Sequence, residues 1–204
     1  MSTLIIDYGL GNLLSVKRAI EKCKGNVIIS QDPKDINQAE RIILPGVGTF
    51  KDGMNNLTKQ GWVGPIIDSV LNRKVPIMGI CLGMQLLATK GFEGGETNGL
   101  NLINGEVRKI ERINQEEKVP HVGWNEVEII NYNTIFNGID TGTDFYFVHS
   151  YEFIPQNRID AIATTPYCGS VVSAISNDNI YGVQFHPEKS HKPGFKLIKN
   201  FLDL

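Results

Sequence analysis

The cysteine at position 81 has the surroundings of a nucleophile. It lies in Gly79-Ile80-Cys81-Leu82-Gly83, after an apolar run at 75–78 that predicts a buried strand and before good helix formers at 84–88. A cysteine at such a strand–turn–helix junction is the thiol counterpart of the G-x-S-x-G nucleophile elbow. The glycines relieve crowding at the turn, and the free N–H groups of the helix favour a thiolate. A buried structural cysteine in a βα turn is the alternative, and the elbow alone leaves both interpretations open.

A cysteine nucleophile needs a base and a group that orients the base. We predict His186 as the base because Pro187 and Glu188 follow it at the end of a predicted strand. In an extended chain, residues two apart project to the same side, so Glu188 can reach the imidazole and stabilise its charged form. The other candidates are the remaining histidines, His121, His149 and His191. A polar turn before the last helix would also account for this segment.

An acyl-transfer site also needs hydrogen-bond donors for the oxyanion. The backbone N–H of Leu82, at the elbow, is one candidate. Val47 and Gly48 are the others, because they belong to Pro45-Gly46-Val47-Gly48 at the end of a neighbouring predicted strand. A simple βα turn would explain the same four residues.

Cofactor and metal sites are not predicted. The pair Gly9 and Gly11 begins like a dinucleotide fingerprint, but Leu14 occupies the third glycine position. The cysteines and histidines show neither C-x-x-C nor H-E-x-x-H spacing. We therefore expect no cofactor and no metal.

Length and charge narrow the class of protein. The chain has 204 residues and a net charge of −2, which predicts one domain and gives no sign of a nucleic-acid or membrane partner. Three cysteines form no paired pattern, which favours a reducing compartment. The first residues lack the pattern of a signal peptide, and no apolar run approaches the about 20 residues of a membrane span. We expect a cytoplasmic protein.

The order of predicted elements indicates the fold. Strands at 3–6, 27–29, 41–44 and 75–78 alternate with helices that begin near 13 and at 62, which predicts a parallel sheet covered on both faces. Ligands of such sheets bind at the carboxyl ends of the strands, where 9–12, 45–48 and Cys81 would meet. A glycine-rich loop at 91–99 follows. Short β segments then predict an antiparallel section, with a hairpin turn at 177–179 and a last helix at 194–204.

Three motifs in this chain order resemble the class I, or triad, glutamine amidotransferases: 45–48, 79–85 and 186–188. The likeness spans nearly the whole chain. It implies a flavodoxin-like α/β fold with a mostly parallel sheet and an antiparallel β section in the C-terminal half, in a single domain 1–204. It also implies that Cys81 attacks the side-chain amide of glutamine and that His186 protonates the departing ammonia. The positions that match glutamine-binding residues are Gln85, Glu93, Ser150 and Tyr151.

Two further stretches, 120–125 and 146–151, resemble the glutaminase subunits of imidazole glycerol phosphate synthases, as do 7–12 and 184–190. That resemblance implies a heterodimer with a (β/α)8-barrel cyclase subunit that receives the ammonia through a closed passage. The positions that match the passage and the interface are Asn12, Trp124, Tyr146 and Lys189. Paralogous glutaminases that supply ammonia for amidating surface sugars would have the same motifs. A stand-alone cysteine hydrolase is a further alternative, whereas the intact triad argues against an idle binding subunit.

Overall fold

The computed structural model describes residues 2–204 of the chain. Its first half alternates strands with helices. The elements are β1 (Ser2–Ile6), α1 (Leu13–Lys22), β2 (Asn26–Ser30), β3 (Arg41–Gly46), α2 (Phe50–Lys59), α3 (Val63–Ile67), β4 (Ile77–Cys81) and α4 (Leu82–Leu86). A π-helical turn, Asp68–Asn72, continues directly from α3.

The second half is mostly β-structure and ends in a helix. Its elements are β5 (Lys90–Gly91), β6 (Thr97–Asn98), β7 (Gly105–Lys109), β8 (His121–Ile129), β9 (Thr143–His149), β10 (Tyr151–Pro155), β11 (Ala161–Thr165), β12 (Val171–Asn177), β13 (Ile180–Val183) and α5 (His191–Leu202).

Nine strands form one sheet in the order β2-β1-β3-β4-β13-β12-β11-β8-β9. The pairs from β2 to β13 are parallel, and those from β13 to β9 are antiparallel. A second sheet has the order β10-β7-β5-β6. The predicted α/β fold, with its parallel sheet and its antiparallel section in the C-terminal half, is confirmed.

Alternation along the strands creates two apolar cores. On β1, Leu4 and Ile6 belong to a core that α2, α3 and α4 cover, whereas Ile5 belongs to a core that α1 and α5 cover. Side chains two apart on a strand share a face, so β1 contributes to both cores. The helices therefore lie on both faces of the sheet, as predicted. Because the two cores share one sheet, we propose that the chain forms a single domain.

Several local predictions were wrong or incomplete. The loop predicted at 91–99 contains short strands, since Gly91 ends β5 and Thr97 begins β6. The helix predicted at 62–71 is interrupted where α3 passes into its π-helical turn. Helix α2 was not predicted, although Thr49 caps it by accepting a hydrogen bond from the backbone N–H of Asp52 at 3.2 Å.

The predicted hairpin turn between β12 and β13 is confirmed. Asn177 pairs with Ile180, which leaves a two-residue connection. Asp178 has a φ of 54°, the left-handed conformation that Asp and Asn adopt more readily than other residues with a side chain. This turn fixes the register of β13, the strand that leads to His186.

Candidate active site

Cys81 ends β4 in a strained backbone conformation. Its φ is 56° and its ψ is −112°, and α4 begins with the next residue. A conformation of this kind costs about 1–3 kcal/mol and is found where function requires it. A Cβ atom at Gly79 would lie within 2.5 Å of the Gly83 carbonyl oxygen, and one at Gly83 would overlap the carbonyl oxygen of Leu44. Only glycine fits at either side of the cysteine, so the sequence pattern has a steric cause.

His186 and Glu188 form a buried pair. The imidazole Nδ1 lies 2.8 Å from the Glu188 Oε1, and their side chains are 2% and 1% exposed. Since a carboxylate accepts the hydrogen bond, Nδ1 carries a proton and Nε2 is the ring atom left for chemistry. That Nε2 is buried and has no hydrogen-bond partner within residues 2–204. A long contact between a base and its nucleophile is common before substrate binds.

The charge of the His186 ring depends on its neighbours. Burial lowers its pKa, but the charges of Cys81 and Glu188, together with the hydrogen bond to Glu188, raise it by more. The pKa is raised from 6.5 to about 9. The imidazolium form of His186 is therefore favoured near neutral pH, and an imidazolium is the proton donor that a leaving amine requires.

The predicted oxyanion donors meet beside the thiol. Gly46, the last residue of β3, pairs with Cys81 across the parallel ladder, so the chain that follows it lies beside the elbow. Val47, Gly48 and Leu82 all line the cavity that contains Cys81. As the first residue of α4, Leu82 has a backbone N–H with no acceptor within its own helix.

A cavity of about 360 Å³ opens at the thiol. It is lined by the catalytic candidates Cys81 and His186 and by all four residues predicted to bind glutamine: Gln85, Glu93, Ser150 and Tyr151. The Glu93 Oε2 accepts a hydrogen bond of 2.8 Å from the backbone N–H of Phe50, which ties the loop to the start of α2. The volume falls within the range of small-molecule sites.

No role beyond that of an alternative base was predicted for His121 and His149, two buried histidines beside this cavity. Nδ1 of His121 lies 3.0 Å from Nε2 of His149, and Nδ1 of His149 lies 2.9 Å from the carbonyl oxygen of Tyr151. Because a carbonyl oxygen can only accept, Nδ1 of His149 carries a proton, and in the neutral ring its Nε2 accepts from Nδ1 of His121. Burial lowers the pKa of each ring to about 4, which leaves His186 as the only one of the three that is charged at neutral pH.

No role was predicted for Gln184, although it begins the stretch 184–190 that carries part of the family resemblance. Its side chain is fully buried, and its Nε2 lies 3.7 Å from the Cys81 Sγ. The carbonyl oxygen of Val148 lies 3.8 Å from the same sulfur. The sequence offered no signal for either contact, because both partners reach Cys81 from strands far away in the chain.

The four residues predicted at a partner interface lie at or near the surface. Trp124 on β8 and Tyr146 on β9 are directly opposite, with ring centroids 6.0 Å apart, and Trp124 is 48% exposed. The Lys189 ammonium lies 5.5 Å from the centroid of the Tyr146 ring. Asn12 is exposed and caps α1, and α1 contacts the Pro187–Lys189 turn.

Residues 2–204 contain neither a cluster that could bind a metal ion nor a helix that could span a membrane. No cluster of three or more histidine, cysteine or acidic side chains could hold a metal ion there. Nor does any helix in this part of the chain combine the length and the apolar composition needed to cross a membrane.

A cysteine at an elbow, a polarised imidazole and backbone donors around one cavity are the parts of an α/β enzyme that transfers or hydrolyses an acyl group through a thioester. The model of the family described as glutamine amidotransferase class-I matches residues 4–204. The chain belongs to the class-I glutamine amidotransferase family. The resemblance inferred from the motifs, and with it the prediction of a glutamine amidotransferase, is confirmed.

Individual relatives agree with this assignment, and solved structures share the fold. The imidazole glycerol phosphate synthase subunit HisH of Moorella thermoacetica is 47% identical over 200 residues, which cover 98% of this chain and 93% of the relative. Subunit HisH 2 of Methanococcus maripaludis is 46% identical, with 97% of both chains covered. The fold is similar to a crystal structure of a glutamine amidotransferase, with a TM-score of 0.77, 16% identity and coverage of 98% and 97%. It is also similar to the structure of PurLQS from Thermotoga maritima, with a TM-score of 0.76, 17% identity and coverage of 99% and 97%.

Proposed function

We infer that the chain is the glutaminase subunit of an imidazole glycerol phosphate synthase. It hydrolyses glutamine to glutamate and ammonia and passes the ammonia to a cyclase subunit, in histidine biosynthesis in the cytoplasm. The observation that carries this inference is the identity of 40–47% over nearly the full length to relatives named as that subunit. The arrangement of Cys81, His186 and Glu188 around the cavity supports the chemistry.

The polar groups of the cavity suit the amino-acid end of glutamine. Both N–H groups of the Gln85 amide are used inside the protein, on the Tyr151 carbonyl oxygen and on the Gln184 Oε1, each at 3.0 Å. Gln85 can therefore offer only its Oε1 to a ligand. An α-ammonium group donates to such an oxygen, and the Glu93 carboxylate adds the complementary charge.

The reaction proceeds through a thioester. The Cys81 sulfur attacks the side-chain amide carbon of glutamine, and the N–H of Leu82 together with the segment at Val47 and Gly48 stabilises the oxyanion. The His186 imidazolium gives its Nε2 proton to the nitrogen, so that ammonia leaves and the C–N bond breaks. Water, deprotonated by the now neutral His186, then cleaves the thioester to glutamate and restores the thiolate–imidazolium pair.

The proposed partner subunit consumes the ammonia. Free ammonia is protonated in water at neutral pH and loses its nucleophilic lone pair, so a closed passage to a (β/α)8-barrel cyclase preserves its reactivity. The surface with Trp124, Tyr146, Lys189 and Asn12 is our candidate for the heterodimer interface. Val47, beside the thiol, is 42% exposed, so a docked partner can influence the oxyanion segment.

Steady-state glutaminase assays test the function. The chain is assayed alone, with the cyclase subunit, and with the cyclase plus its nucleotide ligand. A segment flanked by glycines can reorient its peptide, and a missing oxyanion donor costs about 10²–10³ in rate. We expect little turnover alone and a rise of about that factor with the liganded partner, whereas equal turnover in all three assays would contradict partner control.

Cys81→Ala is the matched control. It should abolish glutamine hydrolysis but leave partner binding and ammonia-dependent synthesis by the complex, assayed with added ammonium salt at raised pH. Residual glutaminase activity in a pure preparation would contradict the role of Cys81. Co-purification with the cyclase, followed by identification of the ammonia acceptor, distinguishes imidazole glycerol phosphate synthesis from the amidation of a surface sugar.

A further inference from the structure

Two buried side-chain amides link the nucleophile to the chain behind the cavity. Nε2 of Gln184 donates to the Cys81 Sγ at 3.7 Å, and Nε2 of Gln85 donates to the Gln184 Oε1 at 3.0 Å. The same nitrogen of Gln85 donates to the Tyr151 carbonyl oxygen, also at 3.0 Å. Gln184 is fully buried and Gln85 is 5% exposed. Gln184 therefore cannot exchange its two partners for bulk water.

The orientation of both amides follows from the chain of contacts. The carbonyl oxygen of Tyr151 can only accept, so Gln85 must present its nitrogen there. That nitrogen has a second hydrogen, which points to Gln184, and Gln184 must therefore turn its oxygen towards Gln85. The nitrogen of Gln184 is then directed at the sulfur. His149 holds the far end, because its Nδ1 donates to the same Tyr151 carbonyl oxygen at 2.9 Å.

The two polar neighbours of the sulfur favour different protonation states. An N–H donor such as that of Gln184 interacts more strongly with a thiolate than with a thiol, because hydrogen bonds to an ionised acceptor are the stronger ones. The carbonyl oxygen of Val148, 3.8 Å away, can accept a proton only from the thiol. Since the Gln184 side chain donates to the sulfur, its removal should shift the balance towards the thiol.

We propose that Gln184 stabilises and holds the reactive thiolate through its side-chain N–H, and that Gln85 is the positioning residue that orients Gln184. This proposal rests on the proposed function, because it takes Cys81 as the nucleophile. It adds to that function a donor for the nucleophile and a second, structural role for Gln85 besides contact with the substrate.

Alkylation of Cys81 as a function of pH tests the proposal without glutamine and without a partner. The full chain carries Cys23→Ser and Cys168→Ser, so that Cys81 is the only thiol. The rate of reaction with iodoacetamide is measured for this background and for Gln184→Met and Gln184→Glu. We expect Gln184→Met to raise the pH midpoint of the alkylation rate by about one unit, because the hydrogen bond lost is one to a charged group. Below the midpoint, this shift corresponds to alkylation that is about tenfold slower. Gln184→Glu should raise it further, because an anionic oxygen then faces the sulfur.

Ser173→Ala is the control for a purely structural effect. Ser173 is fully buried, its hydroxyl has no hydrogen-bond partner within residues 2–204, and its carbonyl oxygen accepts from the backbone N–H of Gln184 at 2.9 Å. This variant disturbs the same region but keeps the donor, so its midpoint should equal that of the background. Folding of each variant is checked by circular dichroism and thermal unfolding.

Gln85→Met keeps the test decisive if neither Gln184 variant folds. It leaves the Gln184 amide in place but removes its orienting partner, and we expect a smaller rise of the midpoint. An unchanged midpoint in the folded Gln184 variants, or in Gln85→Met where these do not fold, overturns the proposal. If the midpoints shift as expected but the cyclase does not stimulate the glutaminase activity of the wild-type chain, the result counts against the proposed function. The two failures are therefore distinguishable.

Discussion

Replacing Glu188 by glutamine tests how the buried carboxylate acts on the base. The change removes one charge and keeps an acceptor near the 2.8 Å distance at which Oε1 meets the His186 ring. Burial alone lowers the pKa of His186, and the charges of Cys81 and Glu188 bring it to about 9. Without the carboxylate, we expect the pKa of His186 to fall and the imidazolium to become less favourable.

The magnitude follows from the kind of hydrogen bond that is lost. A hydrogen bond to a charged group contributes about 1.5–3 kcal/mol, and a neutral one about 0.5–1.5 kcal/mol. The difference of about 1–2 kcal/mol corresponds to a decrease of roughly 5- to 30-fold in kcat at neutral pH. His186→Ala removes the proton donor itself and should cost about 10²–10⁴ in rate. We therefore expect Glu188→Gln to be the less damaging change.

Two measurements in the complex with the cyclase check this reasoning. In the profile of kcat against pH, the alkaline decrease should begin at a lower pH in Glu188→Gln than in the wild type. Glu106→Gln, which removes a carboxylate outside the cavity lining, should keep the wild-type profile. A larger loss of kcat in Glu188→Gln than in His186→Ala, or an unmoved alkaline limb, would refute the assigned roles.

The stability of the chain gives an independent check on the same pair. A folded-state pKa raised from 6.5 to about 9 contributes stability that is fully present below 6.5 and is lost as the pH rises through 9. Urea unfolding of the wild type should therefore show a falling free energy of unfolding between these values. The fall should be smaller in Glu188→Gln, because its histidine is shifted less.

Two further predictions concern stability and are measured by urea unfolding. Gly83→Ala should lower the free energy of unfolding by about 3 kcal/mol or more, since the new methyl group overlaps a backbone carbonyl oxygen. Gly64→Ala, in α3 with open space around it, should change it by less than about 1 kcal/mol, and equal effects would refute the steric reading. Burial lowers the pKa of His121 and His149 from 6.5 to about 4, so stability should fall as the pH drops through this window. His121→Gln should make that fall shallower by up to about 3 kcal/mol, and an unchanged slope would show that carboxyl groups cause it.

The sequence predicts best where local chemistry decides the structure. The elbow can be predicted from the sequence because backbone atoms of nearby residues and of the adjacent strand leave no space for a Cβ atom at Gly79 or Gly83. The contact of His186 with Glu188 was predicted from an extended chain, but β13 ends at Val183 and Glu188 lies in the 3-10 turn Pro187–Lys189. The turn, and not the alternation of a strand, brings the two side chains together. The parallel half of the sheet is also predicted from local patterns, because apolar strand segments alternate with helical segments along the chain.

The sequence predicts poorly where a contact joins distant strands. Gln184 reaches the sulfur because β13 pairs with β4, a pairing between segments about a hundred residues apart. The four-stranded sheet was not foreseen, since β5 and β6 have two residues each and lack any periodicity that a pattern could reveal. Phe50, Met54 and Leu57 of helix α2 have helical spacing, but the glycine and asparagines of this segment lower its helix propensity and weaken the pattern.

Strands β8 and β9 contain most of the motifs 120–125 and 146–151, and they contribute both to the exposed surface and to the surroundings of the Cys81 thiol. Successive side chains of a strand point to opposite faces, so Trp124 and Tyr146 lie on the exposed face while His121 and His149 lie on the buried one. On the same pair of strands, the carbonyl oxygen of Val148 contacts the Cys81 sulfur. A sequence motif lists these residues side by side and does not show which face of the sheet each one lies on. The pairing of β8 with β9 shows this, and it connects the surface proposed for the cyclase to the Cys81 thiol through one pair of strands.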